Sequence, residues 1–204
     1  MISRHEDYFV SHGVLGVKHA SKAAAVILEI QPELYDELDL KPSEYVSRLL
    51  AKISLAAPAA SLNGGLFELV LACVLLRAKL TPFYMEAEVQ FVPNAHFDVL
   101  VYTKEIGPIV LSAKTSLRER YKQADLESQA LRGVHRRSKT YLITLDEREA
   151  AGVARKIESG DVIALDSVVV ANNSDFDRLI SDLSDYTFIK APEFSAVTRG
   201  RYIQ

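Results

Sequence analysis

The chain has 204 residues, 49% of them hydrophobic, which is enough for one domain with a well-buried core and makes a single compact fold the expectation. Its single cysteine, Cys73, excludes both a disulfide framework and a thiolate metal cluster, and within the apolar run Leu69–Leu76 it reads as a small buried hydrophobe. A net charge of −3 hides an asymmetry: from Lys114 to Lys139 there are eight Lys or Arg against three Asp or Glu, a local +5 that leaves about −8 on the rest.

The start "MISRHEDYF" has no apolar signal segment, and the run Leu69–Leu76 is shorter than the roughly 20 residues of a membrane span, so the expectation is a cytoplasmic protein with no membrane partner. "HGVLGVKHA", from His12 to Ala20, is broken by glycines and resists assignment. His5, His12 and His19 recur every seven residues, but Gly13 and Gly16 interrupt any helix that would align them as metal ligands. "SKAAAVILEI" reads as a helix stopped by Pro32, and "KPSEYVSRLLAKISL" as one opened by Pro42 and Ser43 and closed before Pro58. Residues 1–60 are therefore expected to be a helical N-terminal extension, a cap or an interface, on a core spanning 61–204.

"SLNGG" leads into "LFELVLACVLLRAK", apolar nearly all round and so a buried central helix. No Gly-Lys-Ser/Thr follows "NGG", which reads as a helix-start turn rather than a phosphate loop. Glu68 is the one acid in this helix, and its placement in the first turn fits a helix-dipole role. Three strands follow. "FYMEAEVQF" sets Glu86, Glu88 and Gln90 against Ala87, Val89 and Phe91; "FDVLVYT" and "PIVLSAK", joined by "KEIG", read as an antiparallel hairpin. Then come a basic helix "LRERYKQADLESQALRGV", a strand "TYLITL", and a helix "DEREAAGVARKIES" with Asp146 and Glu149 as a capping box and Gly160 as its stop. "DVIALDSVVVA" supplies one or two strands and "SDFDRLISDLSDY" a last amphipathic helix. The predicted fold is α/β, a mixed central sheet flanked by helices.

Chemistry concentrates at the hairpin. Asp98 lies in the apolar stretch "HFDVLVY", where a carboxylate needs a partner. A turn centred near Glu105 sets it opposite Ser112, and Ser112 shares a face with Lys114, so an acid, a hydroxyl and an ammonium come within reach of one another. A plain Asp98–Lys114 ion pair is the alternative. Glu127 returns to the same place if the basic helix folds back over the hairpin, and two carboxylates near a lysine suit a divalent cation. His96 shares the strand face of Asp98, with a structural or solvent role preferred.

The order helix glutamate, strand aspartate, x-Lys strand end resembles the restriction-endonuclease-like, or PD-(D/E)XK, nuclease superfamily, over "GGLFELVLA" and "HFDVLVYTKEIGPIVLSAKTSLRERYKQADLESQAL", about two-thirds of the chain. Two positions depart from its motif: Phe97 stands where proline is usual, and Ser112 where an acid is usual. An S-x-K version, found in a subset of restriction enzymes, takes the second carboxylate from a glutamate 12 to 13 residues on, and twelve residues separate Lys114 from Glu127; Asp125 is the rival. The resemblance implies a metal-dependent endodeoxyribonuclease of type II restriction-enzyme kind, acting as a homodimer on DNA. Its catalytic set would be Asp98, Ser112, Lys114, Glu127 and Glu68. Mg²⁺, with Mn²⁺ as the alternative, would be held by Asp98, Glu127 and the Ala113 backbone carbonyl. Arg118, Arg120 and Lys122 would contact phosphates flanking the cut and Gln123 could reach a base edge; the alternative is a salt-bridged helix surface, with Lys122 paired to Asp125. Alternatives are a repair or mobile-element nuclease of the same fold and an inactive DNA-binding or structural protein.

Overall fold

The computed structural model describes residues 21–31, 39–192 and 197–203. His5, His12 and His19, and the stretch "HGVLGVKHA", lie outside the described residues.

Helix α1 (Lys22–Ile30) is capped by Ser21, whose hydroxyl accepts from Ala24 N at 3.2 Å. Helix α2 (Pro42–Ala56) opens on Pro42, with the Glu44 carboxylate accepting from Lys41 N at 2.9 Å. Ser43, expected as a start signal, does something else: its N–H and hydroxyl both donate to Asp177 at 2.8 Å, tying α2 to the last helix. A 3-10 turn, Ala60–Leu62, leads into α3 (Asn63–Arg77), so "NGG" is the opening of the helix itself. Glu68 consequently lies beyond the first turn, which removes the helix-dipole explanation for it.

Ala60–Arg77 is the one helical stretch among the described residues long and apolar enough to cross a membrane. In this fold it is a core helix: from Leu66 to Leu76 every residue but Glu68 is buried, Cys73 completely.

The sheet has six strands in the order β5-β4-β3-β2-β1-β6. Strands β1 (Phe83–Val89), β2 (Phe97–Thr103) and β3 (Gly107–Ala113) form an antiparallel meander; β4 (Lys139–Thr144) and β5 (Ser167–Val170) add to β3 in parallel, and β6 (Val197–Ile203) closes the other edge antiparallel to β1. Helices α4 (Arg120–Val134) and α5 (Glu147–Ser159) serve as the parallel crossovers, and α6 (Ser174–Leu183) follows β5. Alternation along the strands gives the sheet two apolar faces. Phe83, Met85, Val99, Val101, Ile109 and Leu111 join one cluster with α1, α2, α3 and α6. Tyr84, Leu100 and Val110 pack with Leu131 of α4, and Leu142 with Leu117, Tyr121 and Val153 of the α4 and α5 layer. The helices before residue 60 thus share a core with the sheet.

The predicted α/β class with a mixed sheet between helices is what the chain forms. Several local expectations differ. Phe91 is 73% exposed with φ +66, because β1 ends at Val89 and the chain turns there instead of continuing the alternation. Asp146 caps α5 through Glu149 N at 2.8 Å, but the Glu149 carboxylate does not return to complete the box; it holds the loop after β3. The basic helix starts at Arg120, three residues later than its apolar pattern suggests, and "VTRGRYI" forms a strand that its polar residues concealed.

Candidate active site

The hairpin register pairs Val99 with Leu111, which sets Asp98 directly across from Ser112. Three donors converge on one oxygen of that carboxylate: Ala113 N at 2.7 Å, Lys114 Nζ at 2.8 Å and Ser112 Oγ at 3.2 Å, all on Asp98 Oδ2. Asp98 Oδ1 accepts no hydrogen bond among the described residues. The side chains of Lys114 and Asp98 are 14% and 16% exposed, so this is a largely dry ion pair in which attraction is screened little but desolvation is costly. The backbone of Lys114 is fixed as well, its N–H donating to Ile143 O at 2.9 Å and carrying the β3–β4 ladder one residue past the strand.

The chain then turns toward α4 through a loop anchored by α5. The Glu149 carboxylate accepts from Ser116 Oγ at 3.3 Å and from Leu117 N, and Leu117 is wholly buried. With α4 beginning at Arg120, Glu127 stands two turns in and faces the hairpin. It is buried, accepts from Gln123 Nε2 at 2.9 Å, and its carboxyl is pushed up from the ordinary value, first by burial and further by the charge of Asp98, against the pull of Gln123, Lys114 and His96. Asp125, the rival, points elsewhere: it accepts from Ala164 N at 2.7 Å, Leu165 N at 3.3 Å and Gln129 Nε2 at 2.8 Å, anchoring the segment before β5.

Glu68 arrives from the other face of the sheet. Burial, then the charges of Asp98 and Glu86, push its carboxyl up from 4.5 to about 7, with Lys114 and Arg201 acting in the opposite sense. Glu68 and Glu127 thus each lie within electrostatic reach of the Asp98–Lys114 pair, at one end of the sheet. His96 sits at the rim, 65% exposed, with Nδ1 3.3 Å from Glu88 Oε1.

The basic residues do not form one patch. Arg118, in the loop with φ +28, and Arg120 are exposed and make no ion pair among the described residues. Lys122 is paired with Glu119, not with Asp125 as its spacing suggests, and Gln123 is engaged by Glu127 instead of projecting as a free amide. Arg132 bonds Asp166 at 2.8 Å, and Arg136, Arg137 and Lys139 follow the far end of α4, about 22 Å from its start at 1.5 Å per residue. The +5 run is therefore divided between the two ends of the helix.

Would these residues suit a divalent cation? Crowded, half-dehydrated carboxylates whose protons are held too tightly are the condition a cation relieves, and Asp98 Oδ1 is a free oxygen donor. Among the described residues no three His, Cys, Asp or Glu side chains gather closely enough to enclose an ion. The fit is to a hard cation that keeps much of its water and takes one or two carboxylates, Asp98 and Glu127, as Mg²⁺ does.

Compared with protein-family models, with curated proteins and with solved structures, the chain matches none. Sequence reasoning missed Arg201 and Glu86 as members of this neighbourhood. The only signal for Arg201 was the β-prone spacing of "VTRGRYI", and none pointed to its pairing with β1.

Proposed function

We propose that the chain is a metal-dependent endodeoxyribonuclease with a restriction-endonuclease-like core, hydrolysing DNA phosphodiester bonds as a homodimer. One observation carries this reading: the strand aspartate and the strand-end lysine are held 2.8 Å apart, with the half-buried Glu68 and the buried Glu127, on helices from opposite sides of the sheet, each within electrostatic range of that pair. The antiparallel β1-β2-β3 meander followed by the parallel β3-α4-β4 crossover supports the core assignment.

Hydrolysis puts the oxygen of water on phosphorus and the proton on the departing sugar oxygen. Lys114, kept in place by Asp98 and by its backbone bond to Ile143, presents an ammonium that orients the attacking water and offsets the charge growing on the phosphate. Ser112 and the Ala113 N–H hold Asp98 through Oδ2, so Oδ1 is left without a hydrogen bond among the described residues. Gln123 aims Glu127, and Arg118 and Arg120 stand free to meet flanking phosphates. A Mg²⁺ ion held by Asp98 and Glu127, with the Ala113 carbonyl as a further ligand, would polarise the phosphate and lower the pKa of its water.

Incubation with long mixed-sequence DNA and Mg²⁺ tests this directly. Discrete fragments indicate site-specific cutting and a smear nonspecific cutting, and Asp98→Ala and Lys114→Ala should each abolish either. Undigested DNA with the wild type, or undiminished cleavage by either variant, refutes the assignment. A second reading, a DNA-binding scaffold without chemistry, draws on Ser112 and on the absence of a closed carboxylate cage among the described residues. Calorimetry separates the two, since a scaffold takes up no Mg²⁺ and Asp98→Ala then changes nothing.

A further inference from the structure

Strand β6 brings a second cation to the same end of the sheet. Arg201 pairs with Met85 and Arg199 with Glu88, and the register shifts between those pairs. Glu86 sits in the shift with φ +50, the local geometry of a β-bulge, which turns side chains away from the regular alternation. The strand opposite closes on this bulge through Gly200. Its φ is +149, and a Cβ there would stand 3.1 Å from the Met85 carbonyl oxygen and 3.2 Å from Ala87 Cα, so a side chain at 200 would push β6 away.

The result is an under-used guanidinium beside the carboxylates. Arg201 Nη2 lies 3.5 Å from Glu86 Oε1, longer than a charge-assisted hydrogen bond, and Glu86 is 66% exposed, so water competes for that contact. Arg201 Nε is buried with no hydrogen-bond partner among the described residues. Arg201 lies opposite Met85, whose partner on β2 is Val99, the neighbour of Asp98, and its charge acts on Glu68. Lys114, the other cation there, is already committed to Asp98. A phosphate approaching Glu68, Glu86 and Asp98 from the β6 side needs a donor there that is still free, and a planar guanidinium offers two parallel N–H groups to a pair of phosphate oxygens.

We propose that Arg201 is a phosphate-binding residue of this site, exchanging its loose contact with Glu86 for a backbone phosphate of DNA. The proposal rests on the nuclease reading of Asp98 and Lys114. It gives β6 a function: the bulge at Glu86 and the bare Cα of Gly200 set one guanidinium beside Glu86, at the end of the sheet that carries Asp98.

The test is fluorescence anisotropy of a labelled duplex across a salt series in EDTA, run beside Mg²⁺-dependent cleavage, on the wild type and on Arg201→Ala, Arg201→Lys and Glu86→Gln, each first checked for a cooperative thermal unfolding transition. Arg201→Ala should reduce the slope of log K against log salt by about 1 and lower kcat/KM by on the order of 10²-fold. Arg201→Lys should keep the slope, because the charge remains, and recover only part of the rate, because the fork is lost. Glu86→Gln should bind at least as tightly as the wild type. Wild-type cleavage with an unchanged slope and rate in Arg201→Ala overturns the inference alone, and so does a Glu86→Gln protein as weak as Arg201→Ala, which would make the pair structural. Wild-type binding without cleavage, with the slope still reduced in Arg201→Ala, overturns the nuclease reading and leaves the phosphate contact standing. A wild type that binds no duplex overturns both.

Discussion

Glu68→Gln should stabilise the protein at alkaline pH and leave it nearly unchanged near pH 4.5, provided divalent metal is chelated. The unfolded chain releases the Glu68 proton around 4.5, whereas burial and then the neighbouring Asp98 and Glu86 charges hold it to about 7 in the native state. Between those values the native state binds more protons than the unfolded one, so the stability present below pH 4.5 is lost as pH rises through about 7. A gap of about 2.5 pH units at ~1.36 kcal/mol each sets an upper figure of about 3.4 kcal/mol. Glu68 is only partly buried, and solvent screening reduces this to ~1–2 kcal/mol. In a chain of this size that is a Tm difference of roughly 2–8 °C. The measurement is thermal unfolding of both proteins in EDTA at pH 4.5 and 8.5, where comparison with the wild type removes the carboxylates common to both. A Glu68→Gln protein that melts higher only at pH 8.5, with Mg²⁺ closing the gap, supports a strained acid cluster. If the substitution lowers Tm equally at both values, Glu68 is a satisfied structural group and the electrostatic account of the site is wrong.

Asp125 and Glu127 should separate cleanly. Asp125→Ala strands the Ala164 and Leu165 N–H groups and should cost about 1–3 kcal/mol in denaturant unfolding without changing Mg²⁺ affinity by calorimetry, whereas Glu127→Ala should weaken Mg²⁺ binding with a smaller loss of stability. Glu149→Ala removes the anchor of the Ser116–Leu117 loop, so ~1–2 kcal/mol of stability and most of the cleavage rate should fall together, although the residue touches none of the site carboxylates. Arg118→Ala and Arg120→Ala should each lower the salt slope of DNA binding by about one, while Lys122→Ala, whose ammonium is already occupied by Glu119, should leave it near the wild-type value.

Much of this site is legible in the sequence because a short hairpin leaves little freedom. Once Lys104–Gly107 is a tight connection, the Asp98–Ser112 pairing is arithmetic, and the side-chain alternation carries Lys114 to the same face. The α5 cap at Asp146 and the αL stop at Gly160, φ +81, are local in the same way. What escapes is what depends on distant chain. Glu127 and Asp125 differ by two positions on one helix, and only the packing of α4 against the sheet decides which one meets the hairpin. Glu149 has the spacing of a capping box, yet a loop 32 residues earlier in the chain claims its carboxylate. The sixth strand joins β1 across more than a hundred residues, and neither the bulge at Glu86 nor the arginine it faces leaves a periodic signature in the chain.

Ser112 is the position where the chain parts from the motif it resembles, and the geometry gives it a use. A carboxylate there would face Asp98 across the hairpin, where directly opposed Cβ atoms are about 4.5–5.5 Å apart, with one lysine to offset both and the Glu68 carboxyl already raised to about 7 by burial and then by the charges of Asp98 and Glu86. Like charges so placed are destabilising until a cation arrives. Serine supplies a donor in place of a charge, at 3.2 Å from Asp98 Oδ2, so the strand aspartate is satisfied by three hydrogen bonds whether or not metal is bound. On the proposed reading the second acid is Glu127 on α4, which has its own amide partner in Gln123 and acts on Asp98 from a separate element. On that reading a serine at 112 gives, in place of a tight preformed cage, a scaffold that is stable when empty. The cations at this end of the sheet are then Lys114, held by Asp98, and Arg201, loosely held by Glu86.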